Sequence, residues 1–204
     1  MNSPQPEAND VTRFRTWFEL DRLDSELATG DNPLPLFKQC LQAGNAILKE
    51  QFANGSGSTI LIEARAWLVD EILLRVWKRM HDDAHDGMAL IAVGGYGRSE
   101  LMPGSDVDLL LLLPDDDAHR HDDDITGFLT FLWDIGLEVG HSVRNISDCV
   151  EQSLADITVV TNLMEARLLA GSADLFARMQ ESTSASKIRN SRDFFEAKFL
   201  EQRE

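Results

Sequence analysis

From residue 11 to residue 80 the apolar positions recur at helical spacing, and after residue 87 they condense into short runs. Phe14, Phe18 and Leu23 stand among charges over residues 11–27, and Leu36, Phe37, Leu41, Ile47 and Leu48 do the same over 34–52. Both stretches predict amphipathic helices. The breaker Gly30-Asp31-Asn32-Pro33 separates them, and Gly55-Ser56-Gly57-Ser58 ends the second. Leu61, Ala64, Leu68, Ile72 and Val76 then carry a third helix as far as Met80, with Trp67 and Trp77 on its core side. The apolar runs at 88–93 and 107–113, the latter bounded by Pro114, read as buried strands. Phe128, Leu129, Leu132 and Ile135 mark a helix over 125–135, and alternation over 137–144 marks a third strand. Helices are predicted at 148–169 and 175–179. Another begins within 191–204, with Phe194, Phe195, Phe199 and Leu200 on one side and no stop signal, as in a piece of a longer chain. Residues 1–10, polar and carrying Pro4 and Pro6, predict a disordered lead.

The result is an α/β (α+β) fold: a small mixed sheet with helices before and after it. The expected division is a lead and N-terminal helices over 1–58, the main domain over 59–180, and the start of a C-terminal helical region over 181–204.

Composition narrows the classes. A chain of 204 residues, 43% hydrophobic, can bury one substantial core. Its longest apolar run falls far short of the roughly 20 residues of a membrane span, and the start lacks a signal-peptide pattern, so no membrane partner is expected. Cys40 and Cys149 form no CxxC spacing, which fits a reducing, cytoplasmic setting. The formal charge of −16 argues against binding long nucleic acid, which relies on Lys and Arg. A small nucleotide remains compatible, because a chelated metal offsets negative charge locally.

The informative stretch runs Val93-Gly94-Gly95-Tyr96-Gly97-Arg98-Ser99-Glu100-Leu101-Met102-Pro103-Gly104-Ser105-Asp106-Val107-Asp108. Two glycines straight after a buried strand let the backbone pass close to another group, and the amides of the following turn can face phosphate oxygens. Asp106 and Asp108 flank Val107 at the head of the next strand, so a period of two puts both carboxylates on one face, as magnesium bridging to phosphates requires. Neither half is specific alone: a glycine pair usually makes a turn, and an Asp-x-Asp at a strand edge is usually solvated. The combination of strand, Gly-Gly, short connection, Ser-Asp-x-Asp and apolar strand is far more specific.

The order of these pieces resembles the DNA polymerase beta type nucleotidyltransferase superfamily. The fuller string Gly-Gly-Tyr-Gly-Arg-x-Glu-Leu with Ser-Asp-x-Asp is similar to the N-terminal catalytic domain of the bifunctional PII uridylyltransferase/uridylyl-removing enzyme family. Trp133-Asp134, the string from Leu137 to Arg144, Asp156-Ile157-Thr158 and the string from Thr161 to Leu169 continue the likeness. The resemblance implies a polymerase-beta-like core that transfers UMP from UTP to a tyrosine of the signalling protein PII and releases pyrophosphate. It implies Mg²⁺ on Asp106 and Asp108, and phosphates cradled by Gly94 and Gly95. UMP removal and glutamine sensing would belong to later domains of the family.

Other residues keep two readings. Arg98 supports phosphate or pairs with Glu100; Ser105 donates to phosphate or, as favoured, caps the turn. A third carboxylate is expected by likeness to the superfamily. Glu138 is the candidate, because Gly140 stands where related adenylyltransferases have Asp, while Asp134 and Asp156 read as a helix-end charge and a helix start. The His/Asp runs at 81–86 and 119–124 read as solvated linkers, His141 as a packed, hydrogen-bonded residue, and Tyr96 as a structural neighbour of the glycine turn. Two further functions fit the same residues: a nucleotide-sensing module that no longer transfers, and a transferase with another nucleotide or acceptor.

Overall fold

In the computed structural model, described over residues 8–30, 32–80, 87–114 and 121–188, helices enclose a four-stranded mixed sheet. Four helices lead: α1 (Ala8–Trp17), α2 (Leu20–Ala28), α3 (Pro33–Ala53) and α4 (Ser58–Met80). The stretch predicted as one helix over 11–27 is two, broken at Phe18-Glu19. Asn32 caps α3, accepting from the Leu34 amide at 3.2 Å with Pro33 just inside, where its missing N–H is no loss. Arg75 of α4 holds Asp24 of α2 through two bonds of 2.7 and 2.8 Å.

Then come β1 (Ala89–Ala92), a single turn of helix α5 (Gly94–Gly97), β2 (Val107–Leu112), α6 (Asp122–Ile135) and β3 (Val139–Arg144). The chain continues through α7 (Ile146–Ala155), α8 (Ile157–Met164), β4 (Arg167–Gly171), α9 (Ala173–Ser182) and α10 (Ala185–Ile188). Strand order is β3-β2-β1-β4; β1 is antiparallel to both neighbours, and β2 runs parallel to β3 across the α6 crossover.

Strand parity divides the core in two. Leu90, Ala92, Val107, Leu109 and Leu111 face the helices α1–α4 and α6. Ala89, Ile91, Leu110 and Leu112 face Ile146, Cys149, Leu163, Leu175 and Met179 on the other side. With both faces covered, β1 and β2 read as continuous apolar runs rather than alternating ones. Trp67 and Trp77 are core residues, as predicted. Phe14, Phe18, Phe37 and Leu41 of the N-terminal helices belong to the same apolar cluster as Leu90 and Leu109.

The largest correction concerns the segment that ends in β4. The helix expected over 148–169 is α7, then α8, then a strand. Asp156 ends α7 and starts α8, its carboxylate accepting from the Thr158 amide at 2.8 Å. Arg167-Leu168-Leu169-Ala170 are good helix formers, but the open edge of β1 takes them as a strand, so tertiary pairing overrides local propensity. The 119–124 reading also changes: Asp122–Asp124 form the acidic first turn of α6, favoured by its dipole, and His121 is buried. His141 is exposed on β3, its ring edge-on to Trp133 at 5.8 Å, rather than packed inside. Residues 81–86, 119–120, most of the lead and 191–204 lie outside the described residues.

A polar group joins α4, α5 and β4. Tyr96 is buried, and its hydroxyl donates to the Asp70 carboxylate at 2.6 Å. Arg167 donates to the same carboxylate at 2.8 and 3.1 Å and to the carbonyls of Tyr96 and Gly97 at 3.3 Å. Burial and the Asp70 charge push the Tyr96 phenol well above its ordinary pKa, which keeps it a donor. Asp70→Ala leaves the Arg167 charge unpaired in a largely buried place and should cost about 3 kcal/mol of stability in denaturant unfolding. Asp70→Leu combined with Arg167→Met, which removes both charges, should recover much of that loss.

Candidate active site

Gly94 follows β1 with a φ of +60°, a left-handed conformation that glycine adopts without strain. This turns the chain sharply into α5. Ahead of the first intrahelical bond, from the Gly97 amide to the Val93 carbonyl at 3.1 Å, stand the amides of Gly94, Gly95 and Tyr96. Gly97 has a different constraint. A Cβ there would lie 2.2 Å from the Glu165 carbonyl oxygen and 3.1 Å from that of Ala92, so the turn and the end of α8 meet backbone to backbone.

Asp106 and Asp108 are exposed at the head of β2, with Val107 buried between them. The Val93 amide donates to the Asp108 carbonyl at 3.1 Å, which ties the carboxylate strand to the glycine turn. A Cβ on Gly94 would lie 3.7 Å from Asp108 Oδ2, so turn and carboxylate are immediate neighbours. Neither carboxylate has an ion pair among the described residues. Burial, and secondarily the charge of Asp106, raise the Asp108 pKa. Two adjacent carboxylates without a counter-cation, on a fixed strand, fit a hard divalent ion. A cavity of about 360 Å³ opens beside them, lined by Thr59, Ile62 and Glu63 of α4 and by Gly95, Arg98, Glu100, Met102, Ser105, Asp106 and Asp108.

The remaining sequence candidates have definite places. Arg98 lines the cavity between two acids: its guanidinium meets Glu100 at 2.9 and 3.0 Å and Glu165 at 2.5 Å. The Ser105 hydroxyl donates to the Met102 carbonyl at 2.8 Å, closing the turn before β2. Glu138 is exposed just ahead of β3 and does not converge on the pair; among the described residues no three His, Cys, Asp or Glu side chains gather as a metal cluster. Gly140 is the residue directly across from Asp108, where a Cβ would come within 2.7 Å of Oδ1. Its lack of a side chain is what lets the Asp108 carboxylate lie over β3.

Sequence reasoning missed the part played by the end of α8. Glu165 reaches Arg98, and the Asn162 carboxamide oxygen lies 3.9 Å from the point where a Gly94 Cβ would stand. Both lie in a string that resembled the family, but a continuous helix to residue 169 gave no reason to bring them to the glycine turn.

The glycine turn and the paired carboxylates fall within a stretch that matches a known family. Residues 42–142 match the family described as "Putative nucleotidyltransferase DUF294". The chain is 48% identical over 186 residues to the bifunctional uridylyltransferase/uridylyl-removing enzyme of Azotobacter vinelandii strain DJ, covering 91% of this chain and 21% of the relative. The enzyme of that name from Pseudomonas putida strain W619 is 48% identical over 184 residues, covering 90% and 20%. That of Pseudomonas syringae pv. syringae strain B728a is 46% identical over 186 residues, covering 91% and 21%. The chain thus spans about a fifth of the length of these curated relatives. No helix among the described residues is long and apolar enough to cross a membrane.

Two outcomes follow for stability. A carboxylate with a raised pKa binds its proton more tightly in the folded state, so stability falls as pH rises from the unfolded value through the folded one, and the whole penalty stands at neutral pH. Asp108→Asn should therefore hold or raise the metal-free melting temperature at pH 7, with any gain fading below about pH 4. Gly97→Ala forces backbone against backbone and should cost about 2 kcal/mol or more in the same unfolding measurement. Gly95→Ala, whose Cβ meets the Glu100 carbonyl at 3.4 Å, should cost less.

Proposed function

We propose that this domain transfers UMP from UTP to a tyrosine hydroxyl of the nitrogen regulatory protein PII, with magnesium, in the cytoplasm. The observation that carries the reading is the uncompensated Asp106/Asp108 pair set against the glycine turn. Its support is a sequence close to half identical to enzymes named for uridylyl transfer.

In this reading Asp106 and Asp108 hold the divalent ion. Bound there, it supplies charge neutralisation on the triphosphate and polarises the α-phosphate. Gly94 and Gly95 offer backbone amides to phosphate oxygens, at positions fixed by the packing of Gly97 on Glu165. The guanidinium of Arg98, oriented by Glu100 and Glu165, borders the same cavity and keeps N–H groups for a phosphate. Ser105 rigidifies the entry to the carboxylate strand, and its hydroxyl oxygen stays within reach of the cavity. Glu138, away from the pair, is assigned a peripheral place. The tyrosyl hydroxyl gives up its proton to solvent as its oxygen bonds to the α-phosphorus, the bond from that phosphorus to the bridging oxygen breaks, and pyrophosphate leaves. The fixed amides and carboxylates are already aimed where charge develops, which is where preorganisation lowers the barrier.

The test is incubation with Mg²⁺, each labelled nucleoside triphosphate and purified PII. UMP should appear on PII from UTP ahead of any other nucleotide. Asp106→Asn and Asp108→Asn should each slow transfer at least about a hundredfold, the scale of losing preorganised charge stabilisation, while Glu138→Gln stays near the parent rate. Preferred transfer of another nucleotide would sink the uridylyl assignment. Tight binding of metal-nucleotide without transfer would instead favour a sensing module, the reading that the dispersed third carboxylate supports.

A further inference from the structure

The glycine turn has a second polar neighbour besides Asp108. The point where a Gly94 Cβ would stand is 3.7 Å from Asp108 Oδ2 and 3.9 Å from Asn162 Oδ1, so the carboxylate and the carboxamide approach one residue of the cradle together. Asn162 is exposed and has no hydrogen-bond partner among the described residues. Its polar neighbours along α8 are engaged: Asp156 accepts from Thr158, and Glu165 pairs with Arg98.

The position of Asn162 is fixed from both sides of its helix. Val160 and Leu163 are buried. The carbonyl of Glu165 bears on Gly97, and its side chain, three residues beyond Asn162 and so on a neighbouring row of α8, holds Arg98. The backbone at Asn162 is therefore held beside Gly94.

Charge makes its chemistry distinctive. Asp106, Asp108, Glu100 and Glu165 ring the turn, and two of them already occupy Arg98. A polyanion entering there needs donors, and a neutral amide supplies two N–H groups without adding negative charge.

We propose that Asn162 is a nucleotide-binding residue that donates to a phosphate oxygen of the bound triphosphate, closing the cradle opposite Gly94 from α8. This rests on the reading of the Gly94/Asp108 site given above. It assigns α8 to nucleotide binding and gives Glu165 the positioning role for that wall.

The experiment compares the parent with Asn162→Ala, Asn162→Asp and Asp108→Asn. It measures calorimetric affinity for Mg·UTP and Mg·dUTP without acceptor, binding of Mn²⁺ alone by electron paramagnetic resonance, and melting temperature. Asn162→Ala should weaken Mg·UTP and Mg·dUTP alike, by about tenfold, the size of one hydrogen bond to a charged group. Asn162→Asp should weaken both further, because it replaces the donor with a like charge. Mn²⁺ affinity in Asn162→Ala and the melting temperatures of both Asn162 variants should stay at the parent values. Unchanged nucleotide affinity in Asn162→Ala overturns the proposal. So does a loss confined to UTP, which moves the contact to the ribose hydroxyl, or a loss of Mn²⁺ binding, which makes Asn162 a metal ligand. Parent-level Mn²⁺ and UTP binding in Asp108→Asn would overturn the underlying site reading instead, whatever Asn162 does.

Discussion

The contact among Asp70, Tyr96 and Arg167 is the constraint on which the rest of the site depends. A glycine-rich turn has little side-chain packing of its own and the largest backbone entropy to lose. Tyr96 is the exception within α5: its ring is buried, its hydroxyl reaches Asp70 on α4, and Arg167 from β4 lies over the ring at 5.6 Å while bonding to the turn's own carbonyls. One side chain thus anchors the turn to a helix, and one guanidinium anchors it to a strand that is distant in sequence. This group, together with the Arg98–Glu165 ion pair, holds the close approach of Gly97 to Glu165, since two backbones in contact attract only weakly.

Strand parity does the complementary work for the carboxylates. In β2 the period of two gives Val107, Leu109 and Leu111 to one core, and Leu110 and Leu112 to the other. Asp106 and Asp108 continue the Leu110 and Leu112 row past the edge of the second core. A one-residue slip would exchange them with Val107 and bury a carboxylate without a partner, so the apolar pattern fixes the orientation of the chemistry. On the neighbouring strand, Gly140 leaves the space that the Asp108 carboxylate occupies.

What could be read beforehand follows the range of the forces involved. The three strands at β1, β2 and β3, the helix α4 and the Asp106/Asp108 pair are encoded within windows of a few residues, and each was legible. The strand β4 was not, because Arg167-Leu168-Leu169-Ala170 carries helical propensity and becomes a strand only in response to the unpaired edge of β1. Asp156 reads as a helix start in the sequence and is the N-cap of α8, but the apolar spacing over 148–169 does not show that a helix also ends there. Glu138 is a candidate only by likeness to the superfamily, many of whose members carry a third carboxylate on the strand after the crossover helix. Its place ahead of β3 depends on the parallel register, in which Val139 pairs with Val107 and Gly140 with Asp108.

The residues that escaped notice therefore share one origin. Asn162, Glu165 and Arg167 all lie where α8 gives way to β4, and all lie beside the glycine turn some 70 positions earlier, as the separation of 67 between Arg98 and Glu165 illustrates. Had the helix run on to residue 169, the period of 3.6 would have carried Arg167 away from Asp70, and the edge of β1 would have stayed open. The pairing of β4 with β1 is what brings a polar helix end against the glycine turn. A site assembled by such pairing has its geometry set by the sheet, so the turn amides and the Asp106/Asp108 carboxylates are positioned by the fold itself.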